Sequence, residues 1–261
     1  MNTIASAIMK RKSVRQYQDK SVSNDDMTVI KQAVESVKGL YPEISIDIKI
    51  VEDGKKLHGK GFVGGYGAVN APHYIVVTSE KKDGYLENVG FALEQIVLKL
   101  TDMGIGSCWL GRLGNKEIAQ IIKLKDGHEG IISLAFGYPQ NPTDLELRLL
   151  EERNRKKINQ VVFGGYTKDM EDIFEFVLAA PSGINAQKTE YYICGSTVHI
   201  YTGKHILKTM NNNYFIDAGI ALSHLCLICA EKEYRIEVRK DDDPSDIKGK
   251  QYITSVKFID D

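Results

Sequence analysis

The sequence predicts an α+β fold built from two diverged copies of one unit, fused head to tail. Two echoes carry that prediction. A helical pattern running into a strand pattern occurs twice, and a long, largely apolar helical pattern follows each time. In the first echo Asp26-Met27 matches Asp169-Met170. In the second, "YLENVGFALEQIVLKL" from Tyr85 matches "YFIDAGIALSHLCLIC" from Tyr214, with Gly90 on Gly219, Ala92 on Ala221, Leu93 on Leu222 and Leu98 on Leu227. Asp26 to Asp169 is a step of 143 residues and Tyr85 to Tyr214 a step of 129, so the second half is shorter between the echoes by about 14 residues. A period this long is not that of a solenoid.

The elements follow in order. Ser23 is placed to cap a helix, with Asp26 three residues on completing a capping box. Met27, Ile30, Val34 and Val37 then recur at helical spacing. "ISIDIKIV" from Ile44 reads as a strand, and the helix from Tyr85 leads into "GIGSCWLGRL". A strand "GIISLAFGYP" and a polar turn "QNPTDLE" close the first half. The boundary falls near "RNRKKINQVVFGG", giving halves of 1–160 and 161–261. In the second half Thr167 caps a helix with acidic residues in its first turn and an apolar face of Met170, Ile173, Phe174 and Val177. "TEYYICG" from Thr189 is its strand. Both long helices are apolar around much of their circumference, as buried helices are.

Composition narrows the function. The 261 residues are 43% hydrophobic and 26% charged with a net charge of −1, ordinary for a globular chain and without a basic field for nucleic acid. No apolar run is read as approaching the roughly 18 residues of a membrane span, and the N-terminus has no signal-peptide pattern. The expected location is the cytoplasm. Cys226 and Cys229 form a C-x-x-C inside an apolar helical pattern, where cysteine acts as a small hydrophobe. "GKGFVGGYGAVNAPHYIVV" is no dinucleotide fingerprint, because a strand follows its glycines. Its Gly61–Gly67 stretch reads as a flexible connection, or as a loop offering Tyr66 to a substrate. "KDDDPSDIKGK" reads as an acidic surface turn.

Two stretches carry binding chemistry. "RKSVRQY" holds Arg11-x-Ser13-x-Arg15; in an extended segment these three share a face and Lys12 points the other way. They form a cationic clamp or, read alone, a solvated basic arm. "LAAPSGINAQKTEYYI" holds Pro181-Ser182-x-x-Asn185-x-Gln187, small and amide-bearing residues that let a backbone approach a flat ligand. The other reading is an ordinary helix-to-strand loop.

Together with "GIGSCWLGRL", "FGYP" and "RNRKKINQVV", in this order, these stretches resemble the FMN-dependent nitroreductase family. The match is strong over the first half and weak over the second. The family's P-S-x-x-N-x-Q stretch normally follows its first helix; here that place holds "VESVKGLYPEI", and the stretch follows the second copy of the helix instead. Family members are homodimers with flavin sites across the interface, so the resemblance implies an intramolecular pseudo-dimer of three-layer α-β-α type with one complete FMN site. The internal interface allows a monomer.

On this resemblance Arg11, Ser13 and Arg15, with Lys12 nearby, hold the flavin phosphate. Pro181, Ser182, Gly183, Asn185 and Gln187 meet the flavin from the other half. Ser107, Trp109, Leu110 and Gly111 lie near its ring, although Trp109 is equally a core residue. Arg153 and Arg155 reach the phosphate; they also read as a charged linker, or as the second half's eroded clamp. The implied activity is hydride transfer from NAD(P)H through FMN to a small electron-poor acceptor such as a nitroaromatic or quinone. No side chain is assigned a catalytic role and no metal is implied. The alternatives are a flavin-binding or regulatory protein with little turnover, and a relic without cofactor.

Overall fold

The computed structural model describes residues 3–59, 69–241 and 243–259. Gly61–Gly67 lies outside the described residues. A short helix α1 (Ile4–Lys10), capped by Thr3, opens the chain and ends at the arginine clamp. Helix α2 (Asn24–Ser36) starts at Ser23, whose side chain accepts the Asp26 N–H. The reciprocal half of the expected capping box is absent. Tyr138 occupies it: the Ser23 N–H donates to the Tyr138 hydroxyl, which donates to the Asp26 carboxylate at 2.7 Å. Tyr138 belongs to the "FGYP" stretch, so this cap joins α2 to the last strand of its sheet.

Four antiparallel strands follow: β1 (Ile46–Val51), β2 (His73–Glu80), β3 (Gly106–Trp109) and β4 (His128–Gly137), in the order β1-β2-β4-β3. Between them lie α3 (Tyr85–Asp102) and the single turn α4 (Asn115–Ala119). Residues alternate across β2. Ile75 and Val77 pack with α3, while Tyr74 and Val76 pack with Leu113 and Ile118 at α4. This half therefore has three layers.

The second half repeats that order. Helix α5 (Lys168–Leu178) is capped by Thr167, and β6 (Thr189–Cys194), β7 (Thr197–Gly203), β8 (Ile236–Arg239) and β9 (Lys250–Phe258) pair as β6-β7-β9-β8. A two-residue strand β5 (Val162–Phe163) joins the edge, parallel to β6. The difference in offset falls between the paired strands: residues 52–72 join β1 to β2, whereas Gly195 and Ser196 alone join β6 to β7. The outer face of this sheet carries Tyr192, Tyr201 and Tyr252 in successive edge contacts, and Tyr201 donates to the Ser245 carbonyl of an overlying loop.

The two sheets meet through α3 and α6 (Lys208–Glu231). At their crossing a Cβ on Gly90 would lie 2.2 Å from the Ile216 carbonyl, and one on Gly219 would lie 2.0 Å from the Glu87 carbonyl. Each glycine thus touches the residue three before the other, the self-complementary pattern of a two-fold contact. By length and composition α6 is apolar enough to cross a membrane, contrary to the sequence expectation; most of that stretch is buried within the fold, as in a core helix. Cys226 and Cys229 are free on this helix, and burial pushes both thiols up to about 12, so neither is a reactive thiolate. One hydrophobic core spans both sheets, so a boundary at 160/161 would separate the sheets without dividing the core.

Candidate functional site

The clamp is shaped by strand pairing. The Val14 N–H donates to the Ser107 carbonyl at 2.8 Å, and Ser13 bridges Ser107 in parallel. The segment is therefore extended beside β3, and Arg11, Ser13 and Arg15 all face one cleft. Lys12 faces away and pairs with Asp144.

The opposite wall comes from the second half. Pro181, Ser182, Gly183 and Asn185 line the same cleft, in a loop where Ile184, Asn185 and Gln187 all have positive φ, between 48° and 56°. Such backbone is strained for a β-branched residue like Ile184 and persists only where neighbours enforce it. Three contacts do so. The Gly183 N–H donates to the Asp217 carboxylate at 3.0 Å, the Gln187 N–H donates to the Ser182 hydroxyl at 3.0 Å, and the Arg155 guanidinium donates to the Asn185 side-chain oxygen.

The cleft is open to solvent, with a cavity volume of about 170 Å³. Its floor and walls add Trp109, Leu110, Ile132, Ile216 and Ile220. Trp109 is both packed and exposed to the cleft. Its indole N–H donates to Glu94 at 3.2 Å, Glu94 meets His224 Nε2 at 2.9 Å, and His224 Nδ1 donates to the Phe176 carbonyl at 3.0 Å. Glu94 and His224 are fully buried, so this chain fixes the ring across both central helices.

Charge at the cleft is unbalanced. Arg11 is buried and its Nε finds no hydrogen-bond partner, and neither does the Nε of Arg155. Burial, followed by repulsion from Arg11, brings the Arg155 guanidinium down to about 10; Arg153 is brought to about 10 by the same causes. Asp217 moves in the opposite sense. Burial raises its carboxyl to about 7, while the Gly183 N–H and Arg155 pull it back.

Several expected residues stand behind the cleft. The Arg153 guanidinium donates to the carbonyls of Ile8, Met9 and Arg11 and braces the clamp backbone. The Gln187 amide accepts the Lys156 N–H and donates to the Asn154 carbonyl. Ser107 positions Ser13 through its backbone, and Gly111 is buried beyond Leu110 without lining the cleft. Sequence reasoning missed Ile132, Ile184, Asn213, Ile216, Asp217 and Ile220. The last four named on α6, Asn213, Ile216, Asp217 and Ile220, share one helical face, and an aspartate inside an apolar helix was the available signal.

Over residues 3–229 the chain matches the family described as "Putative TM nitroreductase". The chain belongs to this nitroreductase family. A protein of Archaeoglobus fulgidus named "Putative NADH dehydrogenase/NAD(P)H nitroreductase" is 26% identical over 149 residues, covering 52% of this chain and 86% of that protein. A "putative nitroreductase" of Thermotoga maritima, solved as a crystal structure, has the same fold over 98% of this chain and 93% of its own, with a TM-score of 0.63 at 22% identity. An FMN-dependent nitroreductase of Clostridium difficile matches 61% of this chain with 99% of its own, at a TM-score of 0.50 and 22% identity. The whole of that protein thus matches about three-fifths of this chain.

The related place on the other side of the α3–α6 crossing is filled. A step of 129 residues back from Asn213, Ile216 and Asp217 reaches Gly84, Glu87 and Asn88. The Tyr41 ring lies there, so close to Gly84 that a Cβ would sit 2.6 Å from it, with the Lys240 ammonium 5.3 Å from the ring centroid. Asn88 accepts the Tyr41 N–H at 2.8 Å, as Asp217 accepts that of Gly183.

Proposed function

We propose that the chain is a flavoprotein oxidoreductase that holds one FMN in the cleft, takes hydride from NAD(P)H and delivers it to a small electron-poor acceptor. The observation that carries this reading is convergence: Arg11, Ser13 and Arg15 share one cleft with Pro181–Asn185, which lie far along the chain. The relatives' names point the same way, since one is called NAD(P)H nitroreductase and another FMN-dependent.

The residues suit FMN. Two buried guanidinium Nε atoms, of Arg11 and Arg155, lack partners, and the Arg11 charge lowers the Arg155 pKa, so a dianionic phosphate would satisfy both deficits. Bound FMN supplies the hydride-accepting and hydride-donating chemistry. The protein binds and orients. Ser13 and Ser182 offer hydroxyls, Asn185 an amide, and Trp109, Leu110, Ile132, Ile216 and Ile220 form an apolar wall that excludes water from one side.

The same reading makes the halves 1–160 and 161–261 a fused dimer in which one composite site survives. Matching strand order and the two-fold glycine contact support it. The test is the visible spectrum and flavin content of purified protein, followed by NADH and NADPH oxidation with a quinone acceptor. One FMN per chain and steady turnover are expected. Colourless protein that fails to take up added FMN would overturn the reading, and flavin without turnover would reduce it to a flavin-binding protein.

A further inference from the structure

A second cavity adjoins the cleft. Its cavity volume is about 210 Å³, and it shares Asn213 and Ile216 with the cleft, but none of the cleft's arginines. Its walls carry three cations, Lys81, Arg112 and Lys208, against one carboxylate, Glu129. Glu129 is committed to Lys81 at 3.6 Å, which leaves Arg112 and Lys208 in excess. Neither is in an ion pair with a described residue. The chain's net charge is −1, so this concentration of positive charge is local and does not reflect a basic protein.

The two cavities lie along one helix. Lys208, Thr209 and Asn212 of α6 face the annex, Asn213 and Ile216 face both spaces, and Asp217 and Ile220 face the cleft. At 1.5 Å per residue, Lys208 stands about 12 Å along the axis from Ile216. A ligand spanning both spaces therefore needs a ring that reaches the apolar wall and negative charge roughly 12 Å away. A nicotinamide dinucleotide has that form, with its hydride-bearing ring at one end and its phosphates beyond. On the flavin reading Arg11 and Arg155 are partners of the flavin phosphate, which leaves these outlying cations for a second, separate anion.

We infer that the annex of Lys81, Arg112 and Lys208 binds the phosphates of the dinucleotide hydride donor and sets the donor's affinity. This rests on the flavin reading of the cleft. Arg112 offers planar, bidentate donors and Lys208 a mobile point charge, a pair suited to a pyrophosphate group that is only partly desolvated.

The test uses the intact protein and the variants Arg112→Ser, Lys208→Ser and their combination. FMN content and the flavin spectrum should not change. KM for NADH and NADPH should rise about tenfold in the double variant while kcat holds, and its dependence on salt should flatten. Reduction by a neutral donor without phosphates, N-benzyl-dihydronicotinamide, should be unaffected. Equal losses with the neutral donor, an unchanged KM for both dinucleotides, or an effect that follows the acceptor's charge would each overturn the inference. Calorimetric titration with ADP gives a readout independent of turnover. Binding to the wild type that is lost in the double variant supports the annex even if the protein proves colourless, in which case only the flavin reading fails. No ADP binding to the wild type, together with unchanged KM, would sink the annex alone.

Discussion

Asp217→Asn separates the role of this carboxyl from that of the loop it holds. Asp217 is buried, with its carboxyl raised from an ordinary value of 3.8 to about 7, chiefly by burial. A folded-state pKa above the unfolded one means that the folded protein binds the proton more tightly. Stability from this group is therefore complete below about pH 4, declines as pH rises from there, and is lost above about pH 7. A shift of about three units, at about 1.4 kcal/mol each, sets a ceiling of about 4 kcal/mol. Asparagine carries no charge and still presents an oxygen to the Gly183 N–H, as Asn88 does to Tyr41. The variant should match the wild type near pH 3.5 and exceed it by about 2–4 kcal/mol at pH 8. Urea denaturation at both pH values, with m held in common, measures the difference. A wild-type-to-variant gap that does not change with pH would refute the argument, because it would mean Asp217 does not titrate between the two conditions.

Other perturbations bear on the cleft and the crossing. Arg11→Ala or Arg15→Ala should weaken FMN binding by roughly ten- to a hundredfold, since a hydrogen bond to a charged group contributes about 1.5–3 kcal/mol; flavin titration followed by fluorescence would show it. Asn185→Leu removes both the amide and its contact with Arg155. It should weaken FMN by a similar factor and loosen the strained loop, which limited proteolysis near Ile184 would report. Gly219→Ala places a methyl 2.0 Å from a backbone carbonyl that cannot yield cheaply, so a loss of about 3 kcal/mol or more is expected by thermal or urea denaturation. A loss below about 1 kcal/mol would show that the two central helices are not locked at this point.

Much of the fold was legible because its signals are local. Capping residues, apolar spacing and the paired glycines specify helices and their crossing within a few residues each. The bridge that sets the clamp beside β3 was less visible. Ser107 bridges Ser13 across nearly the whole first half, and nothing near either residue announces the partner. The clamp and the loop were legible as residue types, and alternation correctly turned Lys12 away from Arg11, Ser13 and Arg15. Arg153 and Gln187 were misplaced relative to the cleft for a common reason. Each has hydrogen-bonding capacity that a ligand or a backbone can satisfy equally well, and here carbonyls and an N–H lie closer. The α6 contribution was missed because a helix buried on all sides gives no sign of which face borders a cavity. Only Asp217 broke its apolar run.

If the halves are a fused dimer, as proposed, the crossing of α3 and α6 accounts for a single site. At matched positions the helices carry Gly84 and Asn213, Glu87 and Ile216, and Asn88 and Asp217. On the α6 side, Ile216 gives an apolar wall and Asn213 a side chain at the mouth, with the loop at Gly183 drawn back onto Asp217. On the α3 side, Gly84 has no side chain and the Tyr41 ring takes the room, over a buried Glu87 whose carboxyl is raised by desolvation. A flat ligand would find an aromatic plug over a buried carboxyl there. The arginines follow the same division, since Arg11 and Arg15 line only the open cleft while Lys240, on the closed side, is spent on Asp83 at 2.6 Å. On the fused-dimer reading, loss of a second site would need no change of fold. A glycine, a tyrosine and a carboxylate suffice, on a helix pair whose two-fold contact keeps both halves in place.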